Sequence, residues 1–168
     1  MKIRDRIKEF KRVPASELIP NSKNWRVHPD AQANALKGVL AEVGWADACL
    51  VMETEQGLML IDGHLRAEVA PDSMIPVLIL DVTQEESDKI LATHDPLAAM
   101  AEANSDKLEE LLSDMTTDCA AMVAMLDGLK EEVGICPPNF APVSADDQGR
   151  LDEKAKMKCP KCGEEFTP

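Results

Sequence analysis

The sequence has no tyrosine, and its three phenylalanines and two tryptophans make it 3% aromatic. That excludes an interior built on ring packing. Leu, Ile, Val, Ala and nine methionines must fill the core, methionine serving as an adaptable filler. Positive charge is also short, with 18 Lys and Arg against 31 Asp and Glu and a net of -13, which argues against a chain that coats nucleic-acid phosphates along its length. There is no run of 18 apolar residues, and Met1-Lys2-Ile3-Arg4-Asp5-Arg6 lacks the apolar core of a secretory signal. The expectation is a soluble protein of the bacterial cytoplasm with no membrane partner. Of five cysteines only Cys159 and Cys162 are closely spaced. An odd set of this kind suits reduced thiols plus one metal motif, and no disulfide framework is expected.

What is present fits one domain of ordinary size plus a short accessory segment: 168 residues, 45% of them hydrophobic. Charge is uneven. Residues 1–28 hold eight Lys and Arg against three acids, a net of +5, which leaves -18 for the rest. Such a segment reads either as a solvated charged face or as a basic arm able to reach DNA or an acidic partner.

Ala15 to Asn21 reads as a short extended stretch, and Asn21 to Pro29 as an exposed loop. From Asp30, a possible N-cap, Leu36, Val39, Leu40 and Val43 fall at helical spacing, and Gly44 supplies the stop. Cys49–Met52 and Leu58–Ile61 flank a turn at Gly57 as a strand pair. Asp62-Gly63 ends the second strand, His64 to Ala70 has helical composition, and Ile75 to Asp81 is a further strand. Thr83-Gln84-Glu85-Glu86 has the capping-box pattern and opens a helix expected to end near Thr93-His94-Asp95-Pro96. Leu108, Leu111, Leu112 and Met115, then Met122, Val123, Leu126 and Leu129, predict two more amphipathic helices that could pair as a hairpin. The expected divisions are a domain over 13–98, a helical extension over 99–133, a linker over 134–156 and a tail over 157–168.

The chemistry concentrates at Ile61-Asp62-Gly63-His64-Leu65-Arg66. A glycine between strand and helix turns the backbone sharply and presents amide N–H groups to an anion. Arg66 adds a planar fork suited to phosphate oxygens, and His64 a hydrogen bond, a proton or a metal ligand.

The succession Leu18-Ile19-Pro20-Asn21, Asn24-Trp25-Arg26, a helix ending in Gly44, Leu58 to Glu68, and Ile75-Pro76-Val77-Leu78 resembles the ParB N-terminal domain family and its sulfiredoxin relatives over about residues 13–98. It is most similar to the phage and plasmid members called ParB-like nuclease. The resemblance implies an α/β fold of the ParB/sulfiredoxin kind, a small mixed sheet with helices. It implies a phosphate-holding Gly-x-x-Arg turn at Gly63, His64, Leu65 and Arg66, with Arg26 as a second positive charge. Where CTP-hydrolysing members carry Glu-Asn-x-x-Arg, this chain reads Thr93-His94-Asp95-Pro96-Leu97. The sulfiredoxin cysteine after the loop glycine is here His64, which excludes peroxiredoxin repair, and no helix-turn-helix reader is visible after residue 98.

Two other chemistries stay open. Asp62, His64, His94 and Asp95 are the ligands and proton carriers of a nuclease using Mg²⁺ or Mn²⁺, with Asp62 and His64 as the catalytic pair, provided the helix from Thr83 returns its end to the loop. Otherwise Asp62 caps a helix and His94-Asp95-Pro96 ends one. Trp25 and Trp45 read as loop anchors, with base stacking as the alternative role. In the tail, Cys159-Pro160-Lys161-Cys162-Gly163 is a knuckle offering two thiolates to Zn²⁺. That is half a tetrahedral site, to be completed by a second chain in a homodimer, by Cys136, or by a histidine, unless the tail is a truncated ribbon that holds no metal. A redox CxxC is the weaker alternative, because no thioredoxin-like unit surrounds it.

The expected function is binding of a nucleotide or phosphate ligand at the Asp62–Arg66 loop, in a DNA-related process of a phage or mobile element, with phosphohydrolase activity possible. The rivals are a metal-dependent DNA nuclease and a non-enzymatic regulator or host-defence antagonist that binds a protein partner.

Overall fold

The computed structural model describes residues 3–135, 157–158 and 165–166. Its elements are β1 (Ile7–Pro14), a 3-10 turn over Ala15–Glu17, β2 (Leu18–Ile19), α1 (Asp30–Glu42), β3 (Cys49–Thr54), β4 (Gly57–Asp62), α2 (His64–Val69), β5 (Met74–Leu80), α3 (Gln84–Ala99), α4 (Ser105–Ser113), α5 (Ala120–Val133), β6 (Met157–Lys158) and β7 (Glu165–Phe166). The chain forms two units, Met1–Cys136 and Pro137–Pro168.

Five strands of the first unit make one mixed sheet in the order β1-β5-β3-β4-β2. The β1/β5 and β3/β4 pairs are antiparallel, and the β3/β5 and β2/β4 pairs parallel. Side chains alternate between the two faces of a strand, and the sheet uses both. Cys49, Val51, Leu60, Ile75, Val77 and Ile79 join Ala15 and Leu18 in one core, with Trp45 and Ala67 packed on it. Met52, Ile61 and Leu80 join Leu91 of α3 in the other. Burying a Val, Leu or Ile side chain contributes about 1.5–3 kcal/mol, so these two layers dominate the stability of the unit.

β1 departs from the expected organisation. The basic N-terminal segment is not a free arm, because Ile7–Pro14 is an edge strand on β5, starting six residues before the expected boundary at residue 13. Most of its described charges are answered within the chain: Arg4 and Arg6 pair with Glu86, Lys8 with Glu53, Lys11 with Glu9, Lys23 with Asp88 and Arg26 with Asp95. The strand is bulged between Ile7 and Glu9 and studded with lysine and arginine, both features that discourage a further strand from adding to an edge.

The helices mostly follow their local signals. The Thr83 capping box forms in full. Gly44 has φ +86°, as a helix-stop glycine requires, whereas the N-cap of α1 is Pro29 and not Asp30. α3 does not stop before Pro96 but runs to Ala99, and the Met100 N–H reaches the Pro96 carbonyl. Proline costs a helix one N–H and a clash with the preceding turn; here the carbonyl left without its partner belongs to exposed Ala92, where water can satisfy it. α5 packs on α1 rather than pairing closely with α4. A Cβ on Gly38 of α1 would lie 2.5 Å from the Cys119 sulfur and 2.9 Å from Met122, so glycine is what permits the approach. Among the described residues Cys49 and Cys119 are free thiols, and no helix is long and apolar enough to cross a membrane.

Candidate functional site

Gly63 is the hinge of the site. It links the end of β4 to α2 with φ +93°, a left-handed conformation that favours glycine. Space imposes the same choice, because a Cβ there would stand 2.4 Å from the Cys49 sulfur and 3.0 Å from Arg66 Nη1. The Cys49 thiol lies against the back of the turn and donates to the Gly63 carbonyl at 3.6 Å. Burial pushes that thiol up from its ordinary pKa, against the pull of the Arg66 guanidinium, so it stays protonated near neutral pH.

The turn opens on a cavity of 330 Å³. Asp62, Gly63, His64, Leu65 and Arg66 form one wall, and alternate residues of the Asn24–His28 segment (Asn24, Arg26, His28) form a second. Ala35, Leu36 and Val39 of α1 line it from another side, with His94 and Asp95 of α3 and Met125 of α5.

Asp62 sits between the two arginines. Arg66 Nη1 donates to Asp62 Oδ2 at 3.2 Å, and its other terminal nitrogen to Asp47. Burial alone would weaken the Arg66 charge, but Asp47 and Asp62 outweigh it and hold its pKa above the ordinary value. Arg26 reaches Asp62 at 3.9 Å and pairs closely with Asp95, while Trp25 covers one face of its guanidinium at 5.0 Å. Both of these ion pairs use Nη1, and the other terminal nitrogen of Arg26, Nη2, is buried with no protein partner. Trp25 is therefore no anchor in the core: it is 60% exposed and braces Arg26 from outside. Trp45 does pack on the core.

His64 is 7% exposed, and its Nε2 accepts the backbone N–H of Asn21 at 3.2 Å. Burial, the largest influence, pushes its pKa below 6.5 against the pull of Asp62 and Glu68, so the imidazole is neutral at pH 7. One nitrogen is thus committed to docking the Asn21 loop. α2 spans only six residues, fewer than two turns, so its dipole adds little at the site, and the positive charge rests on the arginines.

The structure does bring the His94 segment to the loop. Ligand atoms of Asp62, His94 and Asp95 all lie within 4.8 Å of one another. Arg26 already bridges the two carboxylates, however, and a metal ion there would have to displace it. Cys159 and Cys162, the expected zinc ligands, lie outside the described residues, as do Cys136 and the rest of the expected linker, of which only Gly134, the C-cap of α5, and Ile135 are described. Asp47, Cys49, His28, Gln32 and Met125 were not foreseen as parts of the site. Only the Asn24-Trp25-Arg26-Val27-His28 alternation carried a signal that could have exposed one of them, His28.

No family profile and no curated protein matches this chain. Among solved structures, the C-terminally truncated chromosome-partitioning protein ParB from Caulobacter crescentus, complexed with CTP-gamma-S, matches with a TM-score of 0.52 at 19% identity, covering 62% of this chain and 60% of that one. The fold is ParB-like. This ParB-like sheet, with its Gly63 turn, is the architecture the sequence resemblance implied. The chain spans about 60% of the ParB structure it matches.

Proposed function

We propose that the cavity at the Gly63 turn binds a nucleotide or a related phosphate ligand, with Arg26 and Arg66 on the phosphates and the apolar side of Leu36, Val39, Leu65 and Met125 against the organic body. The observation that carries this reading is Arg26. Its Nη2 is buried with no protein partner while Arg26 lines an open cavity, and a buried charged donor left unpaired is costly, so a shift of the side chain that brings Nη2 to an anionic acceptor removes a penalty. The likeness of fold to a ParB structure complexed with CTP-gamma-S supports the same reading. The setting we assign is a DNA-related process of a phage or mobile element, as the sequence resemblance suggests. In a thermal-shift panel of CTP, ATP and GTP with Mg²⁺, at least one nucleotide is expected to raise the melting temperature, and Arg66→Ala and Arg26→Ala to remove the rise. Absence of a shift with every nucleotide overturns the proposal.

A second reading, a metal-dependent phosphohydrolase or DNA nuclease, is favoured by the convergence of Asp62, His94 and Asp95. Oxygen and imidazole ligands so placed suit Mg²⁺ or Mn²⁺. It predicts release of phosphate from the bound nucleotide, or cutting of plasmid DNA with Mn²⁺, that is lost in Asp95→Asn and in His94→Ala. With its Nε2 held by Asn21, His64 is better suited to shaping the loop than to moving protons.

In the second unit, β6 and β7 pair antiparallel, Met157 opposite Phe166 and Lys158 opposite Glu165. In the sequence Cys159 to Cys162 falls between these two strands, the spacing of its thiols suits Zn²⁺, and we take Zn²⁺ as its ligand. Metal analysis of the purified chain before and after Cys159→Ser tests this. One zinc per two chains indicates a site shared in a homodimer; none removes the zinc assignment.

A further inference from the structure

The helices beyond the sheet leave apolar side chains uncovered. Leu108, Leu111, Leu112 and Met115 recur at helical spacing, yet α4 has no buried residue. α5 buries only Met122, against α1. Between α4 and α5 runs a groove of 390 Å³ lined by Leu112, Met115, Val123 and Leu126 together with Asp118 and Asp127. Leu111 is 59% exposed, and Met115 and Val123 are each 42% exposed. Contiguous apolar surface rimmed by polar groups marks a face that is covered by something else.

Charge decides what covers it. From residue 99 to residue 135 nine acids face only Lys107 and Lys130, a net of -7, and Lys130 is paired with Asp127. A second copy of this chain would bring the same -7 to the interface and be repelled, as would nucleic acid or an anionic lipid surface. The occupant is therefore cationic. α4 and α5 are helices whose backbones are bonded internally, so they offer no strand edge, and two helices flanking an apolar groove accept a third helix.

We propose that the α4–α5 groove docks a basic amphipathic helix of a partner protein. Its apolar stripe sits on Leu112, Met115, Val123 and Leu126, and its Lys or Arg side chains reach the surrounding carboxylates. The groove shares no lining residue with the Gly63 cavity, so this interaction stands or falls apart from nucleotide binding.

The test uses the full chain and two fluorescein-labelled Leu/Lys peptides of identical composition, one with the i, i+3, i+4 apolar stripe of a helix and one scrambled. Fluorescence anisotropy at physiological salt is expected to show the striped peptide binding at least about tenfold more tightly. Met115→Asp and Val123→Asp should each weaken it about tenfold, a typical loss for an anchor in a groove, with melting temperature and nucleotide response unchanged. Asp118→Lys should weaken it about threefold, and less as salt is raised. Equal binding of the two peptides shows that charge alone attracts them and overturns the proposal. So does indifference to Met115→Asp and Val123→Asp. Sedimentation showing a dimer that Val123→Asp dissolves makes a second copy the occupant, and also overturns it.

Discussion

The Gly63 turn and the α4–α5 segment treat their side chains in opposite ways. At the turn nearly every group is committed: Gly63 is fixed by Cys49 behind it, His64 by Asn21, Arg66 by Asp47 and Asp62, and Arg26 by Asp95, Asp62 and Trp25. Along α4 and α5 one side chain is buried; Leu111, Met115 and Val123 are exposed, and Leu108, Leu112, Leu126 and Leu129 only half-buried. A site crowded with mutual constraints holds its geometry before a ligand arrives and can use binding energy on contacts rather than on ordering. A helix pair with an open face instead depends on what docks there.

The first way to break this contrast is Gly63→Ala. Left-handed strain and a Cβ driven into the Cys49 sulfur should together destabilise the unit by about 3–5 kcal/mol. Adding Cys49→Ala should recover part of that by removing the sulfur. Urea unfolding measures both, and a midpoint unchanged in the single variant would show that the turn is less constrained than its contacts indicate. Leu60→Ala, in the core beneath the turn, should cost about 3 kcal/mol through lost burial and the cavity left behind.

Much of this was legible in the sequence, and the parts that were share a feature. The β3–β4 pair, the Gly63 turn, α2 and the Thr83 capping box depend on residues a few positions apart, so the sequence states their physics locally. β1 depends on pairing with β5, whose residues lie 60 and more positions away, and its own Ile-Lys-Glu-Phe-Lys-Arg-Val-Pro reads as a charged segment. The convergence of Asp95 on Arg26 is equally non-local, and the sequence could only leave it open. Pro96 misleads in the other direction, a local stop signal overridden where solvent satisfies the released carbonyl.

A smaller effect sharpens the contrast through pH. Burial holds the His64 pKa below 6.5, so as the pH falls the unfolded chain takes up that proton first. Stability should therefore decline on acidification below about pH 6.5, by at most about 1.4 kcal/mol per pH unit. His64→Gln should flatten this slope between pH 7.5 and 5.5, above the range in which Glu86 and Asp88, both held below their ordinary values, titrate. An unchanged slope would assign the dependence to other groups. The smallest effect belongs to the open helices: Leu111→Ser should alter the stability of the isolated chain by no more than about 0.5 kcal/mol, and a loss like that of Leu60→Ala would mean that α4 is covered after all.

The edge position of β1 also sets an order of events. At the ribosome Ile7–Pro14 emerges ahead of its partner Met74–Leu80, which lies 60 to 73 residues behind in the paired register, an interval of roughly 3–15 s at ordinary elongation rates. During that time the β3–β4 hairpin can form, but β1 has nothing to pair with. Its dense charge and its bulge then have a second use, keeping the waiting strand from the wrong neighbours until the last seam of the sheet can close.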